Sequence, residues 1–474
     1  MTHLIILPNQ LFTINYIKDL FNNESLLNYL KTVNTNKDGK INFSKLNDLN
    51  IILYEHPQYF TKYNYNKKRL LLHRASMKYY YDYLKSKKVN NIKYINYSEK
   101  LPKSNKNDIF IMFDPIDKIK LPYHIKHDNL IESPNFMLTK NDYTNYRQKT
   151  KTFFFNSFYN NSKKIVDIIP NIKSTDKQNR ERMPKDVPIP KLLTNKPKKD
   201  KEYIDEAILY VNKHFPKNYG TTDEFQFPIS HTTANKWLKN FVDKKLKDFG
   251  TYQDFIIQDE EYLFHSCLST SLNCGLLNPT EIIDLIRPLK DKFPINSYEG
   301  YIRQLFWREY QRFCYIHFDF SNKNYFGNNK KLGKEWYTGK VGIKPVDDAI
   351  ISAFKYGYLH HIRRLMVIGN FMNLSEIDPM DGLKWFIEFA CDSYEWVMYQ
   401  NVLDMAFCVS GGGTMRKPYI SSSNYILKMS NYSKKDDWVE KWDKMYRDFL
   451  DKHKKKILDK FAYAYAMRYR KSKK

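Results

Sequence analysis

An α/β domain followed by an all-α domain is the fold this 474-residue sequence predicts, on three observations. Short apolar runs alternate with helical patterns through residues 1–135, as in a Rossmann-like parallel sheet. A stretch rich in Pro and Lys follows, with Pro184, Pro188, Pro190 and Pro197 marking a surface crossing. From Glu202 onward the apolar spacing turns helical almost throughout. The expected layout is an α/β domain over 1–135, a connection over 136–200 and a helical domain over 201–474.

The run Leu4–Leu7, closed by Pro8 and Asn9, reads as the first buried strand. Ile51–Tyr54, ending at Glu55 and His56, reads as the second, with helical spacing from Tyr16 to Leu30 between them. Arg69–Leu84 gives a long amphipathic helix, after which Ile92–Ile95 and Ile109–Phe113 are strands. Such sheets bind ligands beyond the carboxyl ends of their strands. No Gly-rich phosphate loop follows the first strand, which argues against a dinucleotide there. In the second half the helical candidates are Tyr203–His214, Ser230–Asp248, Tyr262–Cys274, Thr280–Leu289, Tyr298–Phe313, Pro345–Asn373, Gly382–Asp404 and Trp438–Tyr469.

A net charge of +26 favours a polyanionic partner, nucleic acid being the usual one. Lys, Asn, Ile and Tyr, all with AT-rich codons, are in excess, so coding bias supplies part of that charge. The positive field acts on DNA phosphates whatever its origin. No stretch reaches the roughly 18 uninterrupted apolar residues of a membrane span, and Met1–Phe12 lacks the layout of a signal peptide. Five scattered cysteines (Cys267, Cys274, Cys314, Cys391, Cys408) with no CxxC read as buried thiols of a reducing compartment. A monomeric intracellular protein without membrane attachment is expected. Asn34–Ile41 looks like the start of an EF-hand loop, but Lys45 stands where a bidentate Glu would close the calcium shell. It reads as a polar turn, and no metal site is expected.

Three segments of the helical half carry polar residues where a plain bundle would place apolar ones. His265-Ser266-Cys267-Leu268-Ser269 sets hydroxyls at a helix start, which suits a phosphate; an ordinary capped helix explains the same residues. Tyr301–Tyr310 holds Gln304, Trp307, Arg308 and Glu309. An indole beside a guanidinium and a carboxylate can stack a base and grip a phosphate; a surface ion pair beside a core Trp accounts for them equally well. His360-His361-Ile-Arg363-Arg364 is followed by Trp385 and by Cys391-Asp392. Adjacent helical histidines point about 100° apart, so they rarely chelate one metal together. One imidazole can enter a pocket while the other packs in its wall.

In this order, the segments resemble the FAD-binding domain of the photolyase/cryptochrome superfamily. The likeness is closest to the prokaryotic branch of (6-4) photolyases and related cryptochromes that carry an iron–sulfur cluster. It extends over nearly the whole chain, through Leu7-Pro-Asn-Gln10-Leu11, Asp176-Lys-Gln-Asn179-Arg180 with Pro184-Lys-Asp186, and Phe249-Gly-Thr-Tyr252-Gln-Asp254. It is strongest in His360–Leu374 and from Gly411-Gly412 through Lys417-Pro418-Tyr419.

The resemblance implies an FAD held inside the helical domain. Ser266, Leu268 and Ser269 fall at its diphosphate with His265 a further cofactor-binding residue, Gln304 and Arg308 line the cofactor and lesion cavity, and Arg364 lies near the isoalloxazine with Asp392 as its ion-pair partner. Trp307, Arg308, Lys417 and Tyr419 fall where the family meets damaged DNA. His360 and His361 match the histidine pair of (6-4) photolyases, where an imidazolium gives a proton to the photoproduct. With Tyr419 they are the expected catalytic residues. Trp385 occupies a position of the electron path that recharges the flavin. The expected activity is light-driven repair of UV-damaged DNA, with (6-4) photoproducts slightly ahead of cyclobutane dimers because of the histidine pair. A cryptochrome-like blue-light photoreceptor without repair is the alternative, and a DNA-binding module that has lost light chemistry is a third reading.

Departures from the family pattern carry their own expectations. Pro345, Ser433 and Asp436, with the fourth place near Glu440, stand where the related branch has cluster cysteines, so no iron–sulfur cluster is expected. Met398 aligns opposite flavin N5, and a thioether cannot donate a proton there. Phe386 and Tyr337 replace Tyr and Trp along the electron path, leaving Trp385 and Tyr337 as its candidates. The family's first domain usually carries an antenna chromophore, in the related branch a ribityl-lumazine. Gln10 and Glu55 lie at strand ends where such a ligand could sit.

Overall fold

Five parallel strands build one sheet: β1 (Thr2–Ile6), β2 (Leu49–Tyr54), β3 (Ile92–Ile95), β4 (Ile109–Phe113) and β5 (Leu130–Ile131), in the order β3-β2-β1-β4-β5. The structure is a computed structural model that describes residues 1–23, 46, 49–103, 105, 108–122, 125, 129–194 and 196–461. The EF-hand-like turn lies outside the described residues. Four strands coincide with the apolar runs; β5, two residues long, has no periodicity to read. β4 is buried at every position and β1 nearly so, which is why both read as unbroken apolar runs. Leu4 of β1 faces Ile51 of β2 on one side and Ile111 of β4 on the other.

Strand order reverses between β1 and β4, where a parallel sheet ordinarily leaves a crevice at its strand ends. Gln10 fills that place. The Leu7 N–H donates to Gln10 Oε1 (3.1 Å), and Gln10 Nε2 donates to the Phe113 carbonyl (2.7 Å).

By contact, residues 1–137 form one compact unit with 193–239 and 268–282. Helix Lys67–Ser86 runs beside Lys198–His214, and Arg74 joins them. Its guanidinium pairs with Glu206 (2.6 Å) and with fully buried Glu55 (3.0 Å), between the rings of Tyr94 and Tyr210. The Leu11 N–H donates to the Cys274 carbonyl (2.9 Å) and Asn135 to that of Leu272 (2.5 Å), which secures the 268–282 segment.

Buried imidazoles give this unit an acid-sensitive stability. His231, whose Nε2 lies 2.8 Å from the Leu11 carbonyl oxygen, is pushed down by burial to about 4, and burial beside Arg69 holds His73 well below 6.5. Unfolded, each histidine takes up a proton near pH 6.5 that the folded form refuses. Stability is therefore full above that pH and falls as pH drops towards the folded values, by on the order of 3 kcal/mol for His231. His231→Gln is expected to flatten urea midpoints measured between pH 7 and 4.5; an unchanged pH slope would refute the assignment.

The second unit comprises residues 138–192, 240–267 and 283–474. At its centre, helix Ile295–His317 packs on Leu246–Tyr252, Phe155–Val166 and Glu395–Met398. Two buried carboxylates on it gather loops. Glu309 accepts from the Leu138 N–H (3.2 Å) and Tyr143 hydroxyl (2.7 Å), and Glu299 from the hydroxyls of Tyr159 (2.8 Å) and Thr175 (2.6 Å). Gly250 is required where its helix crosses the central one, because a Cβ would collide with the Asn296 carbonyl.

Several predicted elements divide. The stretch 136–200 holds helices Lys140–Lys149, started by a Thr139–Asp142 capping box, and Phe155–Val166. The predicted helix Tyr262–Cys274 begins only at Ser269, since Leu263 and Cys267 adopt left-handed backbone (φ 34° and 53°). Pro345–Asn373 stops at Gly357 (φ 63°) and resumes as a π-helix over Arg363–Gly369 followed by Asn370–Leu374. Gly382–Asp404 breaks after Phe389 and resumes as Glu395–Met398 and a second π-helix, Tyr399–Ala406. A 3.6-residue period cannot reveal wide turns, which cluster at functional sites. All five cysteines are buried free thiols, and no helix among the described residues is long and apolar enough to cross a membrane.

Candidate active site

Gly357 ends its helix by turning left-handed, and residues 358–362 then carry two histidines back against His265. His265 and His360 stack with ring centres 4.8 Å apart and planes 16° apart; His361 stands edge-on to both at 5.5 and 6.2 Å. A nitrogen from each of the three lies within 4.8 Å of the others, a grouping that the adjacency of His360 and His361 does not reveal. Stacked rings hold their in-plane lone pairs in two separate, nearly parallel planes, so His265 and His360 do not converge on one point as a metal cage requires.

Buried His265 Nε2 and both ring nitrogens of His360 have no partner among the described residues. Burial first, and then neighbouring positive charge, holds both imidazoles well below 6.5. His360 is therefore neutral at physiological pH. The His361 side chain is 42% exposed, and its Nε2 lies 3.1 Å from Asp254 Oδ1.

Around Asp254 is an alternating set of charges. Arg180 Nε lies 3.6 Å from Asp254 Oδ2, while its NH2 nitrogen reaches Asp176 Oδ2 at 2.7 Å. Arg303 binds the other Asp176 oxygen at 3.0 Å. Tyr419, half-buried, feels all of them: burial and the Asp176 and Asp254 carboxylates raise its hydroxyl pKa against the opposing pull of Arg180. Gln304 donates to Gln253 Oε1 (3.1 Å). The structure thus gathers His361 and Tyr419 with four residues that the site reading of the sequence missed. Asp176, Arg180 and Asp254 lie inside the motifs that carry the resemblance, and Arg303 precedes Gln304, so motif membership was the available signal.

Arg364 NH2 binds both oxygens of buried Asp392 (3.0 and 3.2 Å), and its Nε donates to the Leu359 carbonyl (2.6 Å). The Phe389 ring centre lies 5.3 Å from the guanidinium. Burial raises the pKa of the Tyr301 hydroxyl, with Ser266 beside it opposing the rise. Leu268 and Ser269 belong by contact to the sheet unit, where Ser269 opens a six-residue helix.

The remaining candidates stand elsewhere on the unit's elements. Trp307 stacks on Phe155 at 3.7 Å with planes 7° apart, which covers one face of its indole. Arg308 lies 5.1 Å from the Trp396 ring centre; burial pushes its guanidinium down to about 10, still charged at neutral pH. Lys417 is exposed, and Met398 is buried at the entrance of the second π-helix. Trp385 is fully buried, and its Nε1 donates to the Trp336 carbonyl (2.7 Å). Tyr337 donates to Glu388 (3.2 Å).

Gln10 and Glu55 do not fit an antenna ligand. Gln10 is spent on the β1 and β4 ends, and Glu55 accepts from Arg74, Tyr94 (2.6 Å), Tyr210 (2.9 Å) and the Tyr97 N–H (3.2 Å). No acceptor direction of that carboxylate is left over.

Comparison with known proteins gives the class. The family model "Deoxyribodipyrimidine photo-lyase-related protein" matches residues 38–227. A (6-4) photolyase of Agrobacterium fabrum is 32% identical over 347 residues, 68% of this chain and 67% of that protein. The chain belongs to the photolyase/cryptochrome family. Its fold agrees with a bacterial class III photolyase from Agrobacterium tumefaciens (TM-score 0.56, 16% identity, 96% of this chain and 91% of that one). It also agrees with a Synechocystis cryptochrome (TM-score 0.55, 14% identity, 96% and 89%).

Proposed function

We propose that this protein is an FAD-dependent DNA photolyase that repairs UV-induced pyrimidine dimers, (6-4) photoproducts ahead of cyclobutane dimers. The observation that carries the reading is the histidine cluster: two buried neutral imidazoles with unpartnered nitrogens, and a third, exposed, with a carboxylate behind it. Unpartnered buried donors and acceptors are costly unless a ligand meets them, so these residues fit a polar cofactor and lesion. Residues 1–135 then correspond to the antenna-type domain, 136–200 to the connection and 201–474 to the domain for cofactor and lesion.

On this reading Ser266, with Leu268 and Ser269 next in the chain, binds the diphosphate; Arg364 and Asp392 flank the ring system; Gln304, Arg308 and Met398 line the cavity. When bound, FAD supplies light-driven one-electron chemistry. The protein's own part is to bind, orient and move protons. Asp392 fixes the Arg364 guanidinium by two bonds, which keeps a positive charge in place for an anionic ligand. His361 gives its ring proton to the lesion, and the Asp254 carboxylate, 3.1 Å from Nε2, orients the ring. Damage has already weakened stacking and pairing, so such a base pair leaves the duplex at reduced cost. Trp307, Tyr419 and the basic residues Arg308 and Lys417 receive it and the adjoining phosphates. Tyr337 and Trp385, with the Phe354 ring between theirs (5.8 and 5.7 Å), would be the residues that pass an electron towards a bound flavin.

Purified protein is expected to be yellow and, under blue light, to restore defined oligonucleotides carrying a (6-4) photoproduct, with a lower yield on cyclobutane dimers. Colourless folded protein that takes up no FAD sinks the reading. Coloured protein inert on both lesions moves it to the photoreceptor class.

A further inference from the structure

Four of the chain's seven tryptophans fall on one line through the helical unit. Trp385 donates its indole N–H to the carbonyl of Trp336 (2.7 Å). The Trp336 ring lies 6.1 Å from Phe371, Phe371 lies 4.9 Å from Trp442, and Trp442 lies 6.1 Å from Trp438. Tyr432 follows at 6.1 Å, and its hydroxyl donates to Asp348 Oδ2 at 3.0 Å. Trp336, Trp438 and Trp442 are at most 3% exposed. Aromatic packing alone accounts for pairs of such rings, but the polar ends distinguish this line from ordinary packing.

An indole or phenol that loses an electron becomes strongly acidic, and the hole settles where the proton can leave. Trp385 and Trp442 donate only to backbone carbonyls, which are poor bases, and buried Trp438 Nε1 has no partner among the described residues. Tyr432 alone on the line donates to a carboxylate. Asp348 is kept in place by Lys344 (3.1 Å) and Gln258 (3.4 Å) and is partly open to solvent.

We propose that Trp336, Trp442, Trp438 and Tyr432 form a second hole-transfer branch from Trp385, ending at the Tyr432–Asp348 hydrogen bond. The inference rests on the flavin reading above. One electron leaves Trp385 for the light-excited cofactor. The hole passes to Trp336, tunnels across the Phe371 ring to Trp442, and moves to Trp438 and Tyr432. Tyr432 then loses its phenolic O–H proton to Asp348 and becomes a neutral tyrosyl radical. A small thiol returns a hydrogen atom to the phenoxyl oxygen, two thiyl radicals so formed pair as a disulfide, and Asp348 releases its proton to solvent. The branch that ends at Tyr337 leaves the hole two rings from Trp385; this one carries it farther, which slows its return.

The test is flash absorption and electron paramagnetic resonance on the full FAD-loaded chain, oxidised and without oxygen. Because either tyrosine can hold the radical, Tyr337→Phe is the reference. Adding Tyr432→Phe, which removes one hydroxyl and keeps the ring, is expected to abolish the long-lived tyrosyl signal and speed charge recombination several-fold. Trp442→Phe in the same reference is expected to do likewise. Both variants must remain yellow. Coloured variants with unchanged radical yield and lifetime overturn the branch and leave the flavin reading intact, whereas a colourless parent protein overturns the flavin reading itself.

Discussion

His361→Asn is expected to lower (6-4) repair by roughly 10²–10⁴-fold, the usual span of a lost general acid, while flavin absorbance and DNA affinity persist. The size follows from the division of labour between the two histidines. Burial keeps His360 neutral, so it cannot substitute as the acid. His361 is exposed enough to meet a substrate and has Asp254 at 3.1 Å to orient its ring. Asparagine keeps the polarity and some hydrogen bonding of the ring but has no titrating proton. Asp254→Asn is expected to cost less, because it loosens the contact that orients the ring and leaves the imidazole itself in place. Cyclobutane repair, which needs no such proton, is the internal control. Equal loss on both lesions would make His361 a binding residue and refute its role as acid.

How far this site was legible in the sequence depends on what each feature needs in order to be seen. Strands β1, β2 and β4 were, because a parallel sheet buried on both faces leaves apolar runs, and edge strand β3 showed in its β-formers Ile92, Tyr94 and Ile95 although Lys93 is exposed. The pairing of Arg364 with Asp392 came from motif order, and no local spacing contains it. His265 meeting His360 was not legible at all: 95 positions separate them, and the left-handed turns at Cys267 and Gly357 that bring them together leave no periodic trace. The same turns broke two predicted helices, Tyr262–Cys274 and Pro345–Asn373. Gln10 and Glu55 had the right address, at strand ends, yet their hydrogen bonds depend on Phe113 and Arg74, which sequence distance conceals. Functional positions, where the chain leaves regular structure, are thus the ones that pattern reading loses.

The largest stability effect is expected at Glu261, which does no chemistry. Its carboxylate forms an ion pair with Arg363, and the two side chains are only 3% and 2% exposed. Arg363 opens the first π-helix, one residue before Arg364, so a misplaced guanidinium there acts on the proposed flavin site through the backbone. Removing one member of a buried pair strands the other charge away from water, at a cost of about 3–5 kcal/mol. Glu261→Leu should therefore lower the thermal midpoint markedly and release bound flavin at lower temperature than the parent. The double variant Glu261→Leu with Arg363→Leu removes both charges, and apolar replacement of a whole buried pair is commonly near neutral. Recovery of most of the lost stability by the second substitution is the expected non-additivity between groups in contact. If the double variant is as unstable as the sum of its parts, the cost lies in lost packing at the π-helix and not in a stranded charge. Calorimetric melts of the four proteins separate these outcomes, with flavin absorbance reporting whether Arg364 still holds its place.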